Sequence, residues 1–204
     1  MCEHTHGGRC CHSLQIENPA EAFSVYKFID ISSVECLNES VSGSGKLVFK
    51  PYEDRRSSSF VESESDEELL FNIPFTANIK LKGIIISGEP SDEHPKVVTL
   101  YRNRPFMTFS DTNDEGDQTL SLSVDPQGEI IYPLKATRFS NLHCLSVHVR
   151  ANYGGDHTRV YYIGLQGEFL SATRSKIVVA NYELTPNLSD HKSDITHSAN
   201  FLVQ

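Results

Sequence analysis

Along much of this chain apolar and polar residues alternate with a period of two. Ile79 and Leu81 alternate with Lys80 and Lys82, and then Ile84, Ile85 and Ile86 run together. That is the pattern of a half-buried strand becoming a fully buried one. Thr119 to Val124 alternates cleanly, which places Leu120, Leu122 and Val124 against a core and the intervening serines toward water. His143 to Arg150 repeats the device, with Leu145, Val147 and Val149 inward and Ser146, His148 and Arg150 outward. Further short strands are predicted over 47–49, 69–73, 97–101, 130–132, 137–139, 158–169 and 177–182. Pro74 falls at a bend before the strand over 78–87, and Gly164 and Gly167 mark a bulge or a close backbone approach in the strand over 158–169. Asp125-Pro126-Gln127-Gly128 and Asn152 to Asp156 read as turns. Asp30 or Ser32 is expected to cap a helical turn over 33–37.

About nine short strands divided by turn signals, with no amphipathic helix of three turns, point to an all-β sandwich or jelly roll rather than a βαβ fold. Residues 1–22 form a His- and Cys-rich tail without either period, residues 23–183 the domain, and residues 184–204 a polar tail. A single domain of this length buries enough surface to need neither disulfide nor metal for its core.

Charge narrows the partners. The 204 residues carry 27 acids against 18 bases, a net charge of −9, which argues against nucleic acid and against an anionic membrane surface. No window approaches the ~20 apolar residues of a membrane span, and no apolar leader is visible. The odd count of five cysteines, three of them within the first eleven residues, is no disulfide framework and suits a reducing compartment. The expected location is the cytoplasm, with the nucleus also open. The sequons at Asn38 and Asn187 are then expected to stay unglycosylated.

Chemistry-bearing patterns are few. There is no Cys-x-x-Cys, no nucleophile elbow and no His-Glu-x-x-His, so nothing predicts an enzyme or a bound cofactor. Asp111, Asn113, Glu115 and Asp117 have the spacing of the start of a calcium loop, without the glycine and distal glutamate of an EF-hand. Cys2, His4, His6, Cys10, Cys11 and His12 are thiolate and imidazole ligands at close spacing, a set that suits Zn, Cu or Ni. Adventitious affinity and a ligand offered to the open position of a partner's zinc are both compatible with it. Tyr101, Tyr132 and Tyr153 near turns are a candidate aromatic platform for a sugar or other small ligand. The acidic run Glu62, Glu64, Asp66, Glu67 and Glu68 is a candidate partner-binding rim, since exposed charge steers association.

Several blocks resemble the PITH domain, the proteasome-interacting thioredoxin domain. They are Glu35-Cys36-Leu37-Asn38-Glu39-Ser40, Phe60-Val61-Glu62-Ser63 continuing to Asp66-Glu67-Glu68-Leu69-Leu70, Ile79-Lys80-Leu81-Lys82-Gly83-Ile84, Arg138-Phe139-Ser140-Asn141, and Tyr161 to Glu168. The blocks keep the family's order across roughly residues 23–182. The resemblance implies a β-sandwich of galactose-binding-like jelly-roll type. It also implies a non-catalytic module that associates with the regulatory particle of the 26S proteasome, and the chain is expected to be a monomer. The thioredoxin domain of the two-domain relatives is missing here, so no redox activity is implied.

Overall fold

The computed structural model describes residues 23–172. Eight strands follow in order: β1 (Glu35–Leu37), β2 (Val61–Glu62), β3 (Leu69–Gly88), β4 (Pro95–Arg102), β5 (Gln118–Ser121), β6 (Tyr132–Pro133), β7 (Leu142–Asn152) and β8 (Arg159–Ala172). All the pairings are antiparallel. The expected segments 69–73 and 78–87 prove to be one strand of 20 residues, whose register slips between Pro74 and Ile79. Proline lacks the N–H that a ladder position needs, so the bend falls there.

That strand makes the architecture. Its first half lies between β1 and β7, with Cys36 opposite Phe71 and Val147 opposite the same residue from the other side. Its second half lies between β8 and β6, where Ile84 faces Leu165 and Tyr132. One layer is therefore β1-β3-β7-β4-β5 and the other β2-β8-β3-β6, with β3 in both. The fold is an all-β sandwich, as the strand pattern predicts, of the jelly-roll type that the family resemblance implies. Leu69, Phe71, Ile73, Ile79, Leu81, Ile84 and Ile86 point between the layers, joined there by Val98, Leu100, Leu145, Val147, Val149, Ile163 and Leu165. Two smaller clusters lie on the outer faces, Tyr52 with Ile85 and Tyr162 on one and Leu70 with Tyr101 and Met107 on the other.

Some local expectations are corrected. Leu47-Val48-Phe49 is not a strand, because Ser44–Val48 winds into a 3-10 turn led by Gly43 at φ 84°, a conformation glycine adopts freely. The helical turn expected over 33–37 lies earlier, at Ile31–Ser33, and Glu35–Leu37 pairs with β3 instead. Asp30 accepts hydrogen bonds from the Ser32 and Ser33 hydroxyls but from no backbone N–H as a cap. Residues 137–139 turn rather than extend, with Phe139 N–H on the Lys135 carbonyl. Residues 177–182 and both tails lie outside the described residues. Gly167 fulfils both readings given to it: the register shifts opposite it, and a Cβ there would collide with the Lys80 carbonyl.

Ser146 and His148 are not on a solvated face. Both are buried, with 1% and 2% of their surface exposed, because the connection between β4 and β5 folds back over the outer face of the first layer. Asn72 Nδ2 donates to the Met107 carbonyl at 2.9 Å, and the Ser146 hydroxyl lies within hydrogen-bond distance of Asn72 Oδ1 and of the Arg104 carbonyl. The Phe109 ring packs edge-on against His148. Polar side chains at these positions satisfy a covering loop's backbone, which water would otherwise do.

Candidate partner-binding rim

The acidic segment between β2 and β3 is fixed in place by one asparagine. Asn38 Nδ2 donates to Asp66 Oδ1 and to the Glu68 carbonyl, each at 2.7 Å, and its Oδ1 accepts the Ser65 N–H at 3.1 Å. Its own carbonyl accepts the Glu64 N–H. Asn38 sits at φ 67°, in the left-handed region that asparagine tolerates better than most residues. From the opposite side the Thr158 hydroxyl donates to the Glu67 carbonyl at 2.7 Å, and the Thr158 N–H donates to Ser63 Oγ at 2.8 Å. Asp66 Oδ1 also accepts the Glu68 N–H at 3.0 Å.

Next to Asn38, Glu39 does the same for the preceding loop. Its carboxylate accepts the N–H groups of Gly43 and Gly45. Two adjacent side chains thus fix two loops on one edge of the sandwich. The Asn38 sequon has this physical content: both amide hydrogens are engaged, and a glycan on Nδ2 would replace one of them.

The five acids proposed as a rim do not act alike. Glu64 and Asp66 are exposed, and Glu67 is half-buried. Glu62 instead joins a network around Arg159, which lies 3.0 Å from Glu62, 3.5 Å from Glu89 and 3.5 Å from Glu93. The same guanidinium lies over the Phe60 ring at 4.9 Å, and Tyr161 donates to Glu89. Glu68 points to the other side, where Oε2 meets His148 Nε2 at 2.9 Å. Burial holds the His148 pKa below the usual histidine value, against the opposing pull of Glu68. The neutral ring beside a carboxylate carries its proton on Nε2 and donates it to Glu68. The free acidic surface is therefore Glu64, Asp66 and Glu67, on a backbone pinned from both flanks.

Other candidates are placed as follows. The set Cys2, His4, His6, Cys10, Cys11 and His12 lies outside the described residues. The proposed calcium loop is not assembled: Asp111 accepts the Thr108 N–H and hydroxyl at 2.8 Å each, Asp117 pairs with Arg102 at 3.2 Å, and no metal-holding group of three or more His, Cys, Asp or Glu occurs among the described residues. The tyrosine platform does not form either. Tyr101 is 1% exposed with its hydroxyl on the Thr112 carbonyl, while the Tyr132 and Tyr153 hydroxyls grip the backbone of Ser123 and Leu122. Cys36 and Cys144 are free thiols, and burial pushes both pKa values up, which leaves them poor nucleophiles.

Sequence reasoning missed Asn38, Glu39 and Arg159 as organisers. Asn38 was legible as a sequon and as part of a family-like block, neither of which shows a pinning role, and Arg159 sat in a run read as an apolar strand. Its signal was the count of acids near it, Glu62, Glu89 and Glu93, which are distant in sequence.

Comparison with known proteins shows what the chain is similar to. The family model described as the PITH domain matches residues 15–186. PITH domain-containing protein 1 of Homo sapiens is 49% identical over 206 residues, covering 98% of each chain. The protein of that name from Danio rerio is 51% identical over 189 residues and 90% of each chain, and that from Dictyostelium discoideum 39% over 186 residues, 90% of this chain and 91% of its own. Among solved structures, CBM32-3 from a family 31 glycoside hydrolase of Clostridium perfringens is similar with a TM-score of 0.49 and 13% identity, covering 74% of this chain and 99% of that one. With a family model spanning most of its length and relatives near half identity end to end, this chain belongs to the PITH domain family.

Proposed function

We propose that this chain is a non-catalytic protein-interaction module that associates with the regulatory particle of the 26S proteasome. It acts as a monomer in the cytoplasm and the nucleus. Family membership supports the proteasome-related role. The observation that carries the interaction reading is the pinned acidic segment, in which Glu64, Asp66 and Glu67 stand on a backbone held by Asn38 and Thr158. A preordered charged loop loses little conformational entropy on docking, and its field steers a basic surface toward it.

The test is affinity capture from cell extract at low and high salt, with mass spectrometry of what is retained. Exposed charges are screened beyond ~8 Å at physiological ionic strength, so enrichment of regulatory-particle subunits is expected at low salt and a decline at high salt. Glu64→Lys with Glu67→Lys leaves every bond that pins the segment intact and is expected to cut capture at least fivefold. Failure of proteasome subunits to enrich at low salt overturns the proposal.

A further inference from the structure

Only once in this acidic chain do two basic residues adjoin, at Arg55 and Arg56, and a run of three serines follows them directly, Ser57, Ser58 and Ser59. The arginines close the 3-10 turn Tyr52–Arg56, and Ser57 leaves it with extended backbone at φ −66° and ψ 153°. Residues 57–60 belong to no strand, so presenting them to another protein breaks no ladder.

The three hydroxyls are not equivalent. Ser57 Oγ accepts from Lys50 Nζ at 2.7 Å and lies 3.2 Å from Ser59 Oγ, and Ser59 is half-buried. Ser58 is exposed, and its hydroxyl has no hydrogen-bond partner among the described residues.

The charges around the run ask for an anion. Lys50 donates only to neutral oxygens, Ser57 Oγ and the Ser59 carbonyl at 3.2 Å. Arg55 likewise rests on the Gln127 and Tyr52 carbonyls, each at 3.1 Å, and over the Tyr52 ring. Arg56 meets Glu129 at 3.1 Å with both side chains more than half exposed, a pair that water screens and a stronger anion displaces. Arg55, Arg56 and Ser58 line one hollow of about 310 Å³. The carboxylate in that lining, Glu89, is already engaged by Arg159 and the Tyr161 hydroxyl.

We propose that Ser58 is the acceptor for a protein kinase whose substrate groove reads guanidinium groups ahead of the serine, and that Arg55, Arg56 and Lys50 receive the phosphate once it is in place. In the transfer the Ser58 oxygen forms a bond to the γ-phosphorus of ATP as the bond from that phosphorus to the ADP oxygen breaks. ADP leaves, and the hydroxyl proton passes to a carboxylate base of the kinase. The kinase's own carboxylates replace Gln127, Tyr52 and Glu129 as partners of the two guanidiniums, in charge-assisted pairs. The phosphate adds about −1.5 to −2 charge and three acceptor oxygens, which the neighbouring cations lack. Ser58 also borders a hollow lined by Val41, Leu47, Phe60 and Glu62, so the modification changes the charge of an exposed apolar edge. The assignment does not depend on the proteasome reading.

The test incubates the full chain with magnesium ATP and the catalytic subunit of cyclic-AMP-dependent protein kinase, which reads arginines ahead of its serine, and locates the phosphate by peptide mass spectrometry. The expected result is close to one phosphate per chain, on Ser58. Ser57→Ala keeps the label, Ser58→Ala loses it, and Arg56→Gln lowers kcat/KM about tenfold or more through loss of one charge-assisted contact. Arg56 is exposed, and an unchanged melting temperature shows that this variant stays folded. In the phosphorylated chain the phosphorus NMR signal titrates below the ordinary phosphoserine value of about 6, because nearby cations favour the dianion, and Lys50→Gln brings it back up. No labelling of the folded chain, phosphate on another residue, kcat/KM unaffected by Arg56→Gln, or a phosphorus titration at the ordinary value overturns the assignment.

Discussion

Replacing Asn38 by alanine tests how the acidic segment is held. The change deletes two donated hydrogen bonds of 2.7 Å and one accepted bond of 3.1 Å. Each is worth about 0.5–1.5 kcal/mol. It also places a Cβ-bearing residue without a compensating polar group at φ 67°, a penalty of about 1–2 kcal/mol. Asp66 and Ser65 are exposed, so water takes over part of what is lost, and the net cost falls at about 2–3 kcal/mol. Three companions separate the contributions. Asn38→Gly removes the side chain but relieves the backbone, and should recover about 1 kcal/mol of the alanine loss. Asn38→Asp keeps the acceptor for Ser65 and turns two donors into acceptors facing Asp66 and the Glu68 carbonyl; it should be no better than alanine. Glu64→Gln, whose side chain takes no part in the pinning, should be neutral within about 0.5 kcal/mol. Urea denaturation gives the free energies, and amide exchange of Glu64, Ser65 and Glu68 gives the local effect, since those three N–H groups are bonded to Asn38 or Asp66. A cost below about 1 kcal/mol with unchanged protection at these amides would refute the account.

Phe106 stands at φ 56° with 78% of its surface exposed, so Phe106→Asn should raise stability by about 1 kcal/mol by easing a strained backbone at no packing loss; a lower urea midpoint contradicts this. Gly167→Ala drives a methyl into the Lys80 carbonyl and should cost about 2–4 kcal/mol through displacement of β8 from β3, read as a fall in melting temperature. His94 is fully buried, lies 2.7 Å from the Pro95 carbonyl through Nδ1, and accepts the Asp125 N–H through Nε2 at 2.9 Å. Burial lowers its pKa, so the unfolded chain binds the extra proton first and stability falls as pH drops below about 6.5, by up to ~1.4 kcal/mol per pH unit from this group. His148, lowered for the same reason, adds in the same direction. The slope of unfolding free energy between pH 7.5 and 5.5 should be smaller in His94→Gln; an unchanged slope removes His94 from the explanation.

Alternation carried most of the fold into view. The inward sets Leu120 with Leu122 and Leu145, Val147 with Val149 are where period two places them, because each of those faces meets the opposite layer; Val124, expected with the first set, is instead exposed, since the strand ends at Ser121. The pattern misled where a third body intervenes. Ser146 and His148 obey the polar half of the alternation, yet a loop from β4 covers them, and period two cannot distinguish water from a covering backbone. The short apolar triplet over 47–49 carried too little periodicity to separate a strand from a 3-10 turn. At the rim the charges were legible but not their pairing. Glu62 and Arg159 are 97 residues apart, and composition carries no distance. The pinning by Asn38 was hidden because an asparagine that bonds a remote loop looks the same in sequence as one in any turn.

The strand that belongs to both layers has a consequence for how this chain can be taken apart. Because Leu69–Gly88 supplies a rung to each half of the ladder, no cut separates the molecule into two autonomous pieces, and a fragment ending before β7 lacks neighbours on both sides of the bend. Unfolding should be all-or-none, assembly should wait on contacts between segments far apart along the polypeptide, and folding should be slow on the scale of small domains.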